Sequence, residues 1–126
     1  MLSKAVVAMS LRTMAEMAAL GMDVWQMLTR AQAYRYLGCA SLELCRVADG
    51  YCDLFISSHV CAWDVAAARI YLEERGGVFL SRVKEEGASP RGKLLIAAFR
   101  SPSIWAETLS YIPGGIRKKY CFLKEG

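Results

Sequence analysis

The period of apolar positions changes several times along the chain, and each change marks an expected element. Residues 4–9 form a short continuous apolar run, which predicts a buried strand. Ser10 is suited to cap the helix that follows. That helix is expected over 11–28, where Met14, Met17, Ala18, Trp25 and Leu28 recur at helical spacing as a core-facing stripe. Gly21 costs about 1 kcal/mol there relative to Ala and is a natural point for the helix to divide. Weak alternation over 31–37 predicts a strand. Gly38 then turns the chain into a helix over 39–48, with Leu42, Cys45 and Ala48 or Asp49 spaced along it and Gly50 ending it.

Residues 52–56 read as the next strand and 57–61 as a loop. A helix is expected to open at Asp64 and to close on Gly76-Gly77, followed by a strand over 78–83. Residues 84–93 hold Gly87, Pro90 and Gly92 among charges and predict a connection or hairpin loop. A second buried strand is expected over 94–99. Ser101-Pro102 then opens a last helix that runs to about residue 111 and stops at Pro113-Gly114-Gly115. Strands alternating with helices predict an α/β fold, a layered mixed or parallel β-sheet with flanking helices. No linker divides it, so one domain is expected over 1–112, with a basic tail over 113–126.

Composition sharpens this picture. The chain has 126 residues, of which 55% are hydrophobic and 22% charged, with a mean hydropathy of +0.23. So apolar an average in so short a chain implies a sheet buried on both faces, or a surface meant to be covered by another chain. The net charge of +4 is partly carried by Arg117-Lys118-Lys119 and is too small and too little clustered for a nucleic-acid partner. The five cysteines (Cys39, Cys45, Cys52, Cys61 and Cys121) form no Cys-x-x-Cys pair, and His59 is the single histidine. That pattern excludes a zinc site and fits reduced thiols used as small core residues. No stretch approaches about 18 apolar residues, so no membrane partner is expected and a cytoplasmic protein is the default.

Candidate chemistry gathers at two helix starts. A carboxylate at Asp64 is suited to cap its helix, and Ala66-Ala67-Ala68 behind it lets the backbone approach a neighbour closely. Gly38-Cys39-Ala40, a glycine ahead of a helix N-terminus, suits an anion or polyol site as well as it suits a tight turn.

The string Trp63-Asp64-Val65-Ala66-Ala67, with Glu74-Arg75-Gly76-Gly77 one helix later, resembles the second signature of the inositol monophosphatase family. Arg35-Tyr36-Leu37-Gly38-Cys39-Ala40-Ser41-Leu42 resembles the family's Arg-x-x-Gly-Ser/Thr-Ala-Ala stretch. Val47-Ala48-Asp49-Gly50-Tyr51-Cys52-Asp53 matches its Val-Ala-x-Gly-x-x-Asp, and Leu94-Leu95-Ile96-Ala97-Ala98 is similar to its late strand. The resemblance runs from about residue 4 to 112. It covers the C-terminal half of a typical member only, because the first signature, Asp-Pro-x-Asp-Gly-Thr/Ser, has no counterpart here. The sole Asp-Gly pair, Asp49-Gly50, belongs to a helix end.

The resemblance implies a magnesium-dependent phosphatase that hydrolyses a small phosphorylated polyol or sugar, such as an inositol phosphate. It makes Asp64 a metal ligand and puts Gly38, Cys39, Ala40 and Ser57 on the substrate side. Cys39 stands where Ser or Thr is usual, Ser57 where inositol-specific members carry Glu, and Cys61 where His is common in animal members. His59 reads as a solvated loop residue. Arg35 reads as a surface, subunit-contact or substrate-side charge, Glu74 as structural and Glu73 as solvated. One carboxylate cannot hold a site of two or three magnesium ions. The isolated chain is therefore expected to be inactive and to need a complementary N-terminal-half chain, or to act as a non-catalytic interaction module. In either case the uncovered apolar area implies self-association, with a homo-oligomer as one outcome.

Overall fold

The computed structural model describes residues 2–83 and 93–111. Its strands are β1 (Val6–Met9), β2 (Ala33–Tyr34), β3 (Leu54–Cys61), β4 (Val78–Val83) and β5 (Lys93–Phe99). Its α-helices are α1 (Leu11–Ala19), α2 (Val24–Arg30), α3 (Ala40–Asp49), α4 (Ala62–Glu74) and α5 (Pro102–Thr108), with 3-10 turns at Leu2–Lys4 and Leu109–Tyr111. The strands form one five-stranded sheet in the order β2-β1-β3-β5-β4. β1 pairs parallel with β2 and β3, while β5 runs antiparallel between β3 and β4. The fold is α/β with a mixed sheet, as the alternation of elements predicts.

Successive strand residues point to opposite faces, and here both faces are apolar. Val7, Met9, Leu54, Ile56, Leu80, Leu95, Ala97 and Phe99 pack under α1, α2 and α5. Ala8, Phe55, Val60, Phe79, Ile96 and Ala98 pack under α3 and α4. Asp53 ties this sheet to its surroundings. Its carboxylate accepts the Val6 N–H at 2.8 Å and pairs with Arg100 at 3.2 Å, so the Asp of the Val-Ala-x-Gly-x-x-Asp stretch is a structural clasp.

Several elements differ from the sequence expectations. The helix over 11–28 is two helices, because Gly21 closes α1 in the left-handed region (φ 100°). The Gly21 N–H meets Ala18 O and the Met22 N–H meets Met17 O, the paired bonds of a glycine-terminated helix. The change of direction moves the stripe. Met17, Met22, Val24 and Met27 are buried, whereas Ala18 is exposed and Trp25 is 75% exposed. The strand over 31–37 shrinks to Ala33–Tyr34, since β1 offers it only Val6 and Val7 as partners. Along α3 the inward residues are Glu43, Leu44 and Val47, and Leu42 faces solvent.

The strand over 52–56 and the loop over 57–61 are one strand, β3. Beyond the end of β1 it continues because β5 pairs with it as far as Cys61↔Lys93, across an irregularity between Ser57 and Val60. His59 is thus a half-buried strand residue and not a loop residue. α4 begins two residues before Asp64. Cys61 is its N-cap, and Asp64 lies within the first turn and does not cap. Pro102 does open α5, and the continuation to residue 111 is the 3-10 turn. The connection over 84–92, the stop at Pro113-Gly114-Gly115 and the basic tail lie outside the described residues.

Candidate functional site

Parallel strands deliver their C-terminal ends, and the helices that follow, to one edge of a sheet. Here β1 leads into α1, β2 into α3 and β3 into α4. The connection from β1 to β2 crosses one face, and the connections leaving β2 and β3 cross the other. The neighbouring strands β1 and β3 are therefore followed by helices on opposite faces. Such a switch point, outside the carboxyl ends of the strands, is where open α/β sheets bind their ligands.

α3 and α4 lie side by side and run the same way. At their starts the Ser41 hydroxyl donates to the backbone carbonyl of Asp64. At their ends the Tyr71 hydroxyl donates to Asp49, and Arg75 lies 3.8 Å from the same carboxylate. Two helix N-termini, each a partial positive charge, are thus adjacent at the strand-end edge. Neither is capped by a side chain. Cys39 caps α3 and Cys61 caps α4 without a side-chain hydrogen bond, because a thiol is a weak acceptor. By contrast Ser10 accepts the Thr13 N–H at the start of α1, and Asp23 accepts the Gln26 N–H at the start of α2. Unlike α1 and α2, the helices α3 and α4 that start at this switch point have no side-chain acceptor at the N-cap for their first-turn N–H groups. Uncapped first turns are donors for an anion such as phosphate.

The residues singled out from the sequence fall around this point with unequal access. Asp64 is exposed at the start of α4, and Gly38 and Cys39 are exposed ahead of α3, with Ala40 half-buried behind them. Ser57 does not share that exposure. It is a buried residue of β3, on the face of Phe55 by strand alternation, beneath α3 and α4. Arg35 is exposed and its guanidinium donates to Tyr34 O at 2.8 Å. Glu73 pairs at the surface with Arg69 at 3.1 Å.

Sequence reasoning missed a second polar group on the other side of the switch point. β3 outruns β1, so the Ser58 N–H has no strand partner on that side. Thr13, fully buried in α1, accepts it at 3.1 Å, and the two hydroxyls lie 3.2 Å apart. The Ser10 hydroxyl donates to Thr13 Oγ1 at 2.9 Å, and Ser58 Oγ stands 3.3 Å from His59 Nδ1. Only the spacing of Ser10 and Thr13 signals this in the sequence.

Magnesium asks for several clustered oxygen ligands. Among the described residues no three His, Cys, Asp or Glu side chains come close enough to hold a metal ion. Asp64 offers one exposed carboxylate beside the two helix starts. This donor set fits one ligand of a shared site, not a complete site. Among the described residues no helix is long and apolar enough to cross a membrane.

The sequence pattern of the inositol monophosphatase family matches residues 6–112. The chain is 35% identical over 79 residues to the Nus factor SuhB of Pasteurella multocida, which covers 63% of this chain and 28% of that protein. The structure of Mycobacterium tuberculosis SuhB superposes with a TM-score of 0.66 at 28% identity, over 88% of this chain and 42% of that one. Inositol monophosphatase II of Staphylococcus aureus superposes with a TM-score of 0.69 at 17% identity, over 87% of this chain and 41% of that one, a likeness of fold. The chain spans under a third of the curated relative and under half of each solved structure. With its signatures, its sheet order and this match over nearly all its described residues, the chain belongs to the inositol monophosphatase family.

Proposed function

We propose that this chain is the C-terminal domain of a magnesium-dependent phosphate monoester hydrolase acting on a small phosphorylated sugar or polyol. The carrying observation is the pair of uncapped helix N-termini beside Asp64. The N-terminus of α3 would hold the phosphate through Gly38, Cys39 and Ala40, beside the first turn of α4, where Asp64 would give one carboxylate to magnesium. Magnesium supplies charge neutralisation on the phosphoryl oxygens and activation of water. Its other ligands would come from a segment or partner chain bearing Asp-Pro-x-Asp-Gly-Thr/Ser.

A specific surface favours such a complement. The outward face of α4 carries Trp63, Ala66, Ala67 and Ile70 at helical spacing, with Trp63 65% and Ile70 60% exposed. A helix apolar on both faces is suited to burial between two layers. The same surface supports a second reading, a family domain that works by association and not by catalysis. The Nus factor name of the Pasteurella multocida relative agrees with that reading.

The test is magnesium-dependent phosphate release by the purified chain with inositol phosphate and fructose bisphosphate, alone and with a complementary chain bearing the first signature. Release that needs the complement and disappears in Asp64→Asn supports the hydrolase. Folded chain and complement that associate without release favour the association reading.

A further inference from the structure

Glu43 is a carboxylic residue in a place where an apolar one would pack. It lies in α3 one turn from the helix start and is 2% exposed, among Leu44, Val47 and the underside of the segment 34–39. One carboxyl oxygen, Oε1, accepts the Leu37 N–H at 3.3 Å. The other, Oε2, is buried with no hydrogen-bond partner. Burying a polar atom in this way costs stability, which an aliphatic side chain would avoid.

The groups around it give the second oxygen no hydrogen bond. Arg46, on the same helix, acts on it through its charge and lies over the Tyr51 ring at 5.6 Å. From β2 the Tyr34 hydroxyl donates to Met9 O at 2.6 Å, and from the turn before β3 the Cys52 thiol donates to Leu54 O at 3.3 Å. The Tyr34 and Cys52 donors are thus spent on backbone carbonyls, and the hydrogen bond Glu43 makes goes to the turn above it.

That turn leads to the candidate phosphate contact. Arg35 is anchored by its N–H on Val7 O at 2.9 Å, and Cys39 by its carbonyl, which accepts the first α3 bond from the Glu43 N–H. Between them Leu37 is half exposed. Gly38 has φ +88°, and no atom lies within 4 Å of where its Cβ would be, so packing does not hold the turn from that side. Among the described residues, the Leu37–Glu43 bond is the one hydrogen bond that ties the middle of the turn to the body of the protein.

We propose that Glu43 is a positioning residue, which clasps the Leu37 N–H from below and so sets the Leu37-Gly38-Cys39 backbone at the N-terminus of α3. The clasp deepens the phosphate reading of that N-terminus and rests on it only for the last measurement below.

The experiment is amide hydrogen exchange and proton–nitrogen NMR on the full chain, with Glu43→Met and Glu43→Gln. Gln keeps the acceptor and loses the titrating group, whereas Met keeps the volume and loses both. In Glu43→Met the protection of the Leu37 amide should fall by roughly tenfold, the scale of a hydrogen bond to a carboxyl group, while Val7 and Leu54 are unchanged. In Glu43→Gln that protection should persist, and the pH titration of the Leu37 amide shift expected in the parent should be absent. Unchanged Leu37 protection in Glu43→Met overturns the clasp, as does an equal loss at Val7 and Leu54, which would mark plain core packing. Should Glu43→Met not fold, a Leu37 amide that titrates identically in Glu43→Gln and the parent overturns it instead. Inorganic phosphate should then shift the Gly38 and Cys39 amides in the parent and bind about tenfold more weakly to Glu43→Met. If phosphate shifts neither amide in the parent, the phosphate reading is lost and the clasp is still judged on Leu37.

Discussion

The hydroxyl of Ser41, in the first turn of α3, donates to the backbone carbonyl of Asp64, in the first turn of α4. One hydrogen bond thus brings together two helix starts that are separated by a strand and far apart in the chain. Ser41→Ala should cost about 0.5–1.5 kcal/mol in urea denaturation, the usual net worth of such a bond. Asp64→Asn should change stability by less than about 0.5 kcal/mol, because the side chain is exposed and caps nothing. A large loss in the Asn variant would make Asp64 a structural residue after all.

Thr13 is the buried acceptor for the end of β3 that β1 does not reach. Thr13→Val keeps the shape and leaves the Ser58 N–H without its acceptor, at a cost of about 1–3 kcal/mol. Thr13→Ser should recover most of that. Equal melting temperatures for the Val and Ser variants would show that the hydroxyl carries no weight.

Gly76 and Gly77, adjacent in the signature, are glycine for different reasons. Gly76 has φ +82° with open space beside it, so Gly76→Ala should cost about 1–2 kcal/mol of backbone strain. A Cβ on Gly77 would stand 2.2 Å from Leu72 Cδ1 and 3.1 Å from Leu72 O, against a side chain that is fully buried. Gly77→Ala should therefore cost about 1–3 kcal/mol through overpacking. Adding Leu72→Val should rescue part of the Gly77 loss and none of the Gly76 loss, as read by thermal melts of both double variants.

Burial raises the pKa of Glu43 above its ordinary 4.5, against smaller opposing effects of the Leu37 N–H and of Arg46. The folded chain therefore holds this proton to higher pH than the unfolded chain does. Stability from this group is fully present below the unfolded value and falls as pH rises toward the folded one. The stability of Glu43→Gln relative to the parent should thus improve from pH 4 to pH 7. A difference that stays flat with pH in denaturant titrations would contradict it.

The thiols divide by access. Cys39 is exposed, whereas Cys52 is buried and burial pushes its thiol up to about 11. Alkylation at neutral pH followed by peptide mass mapping should modify Cys39 early and spare Cys52 until the chain unfolds. Early modification of Cys52 would contradict the packing of the turn before β3.

Much of this was legible in local chemistry. Apolar runs marked β1, β4 and β5, glycines closed α1, α3 and α4, and Pro102 opened α5, because each depends on a few neighbouring residues. The Trp-Asp signature marked the family for the same reason. What failed depended on partners remote in the chain. Ser57 to Cys61 have no local reason to be a strand and became one because β5 lies alongside. Asp64 had the chemistry of a cap, yet α4 starts earlier, where β3 ends.

The sequence by itself determined an α/β chain of the inositol monophosphatase family with Asp64 and Gly38-Cys39-Ala40 at two helix starts, since motif and periodicity are written in consecutive residues. Only the tertiary structure decided that these starts stand side by side, that neither is capped by its cysteine, that Ser57 is buried beneath them and that the buried Glu43 carboxyl accepts the Leu37 N–H in the turn ahead of α3. Those are distances between residues remote in sequence, and they exist only once the parallel strands have carried the ends of β1, β2 and β3 to a common edge.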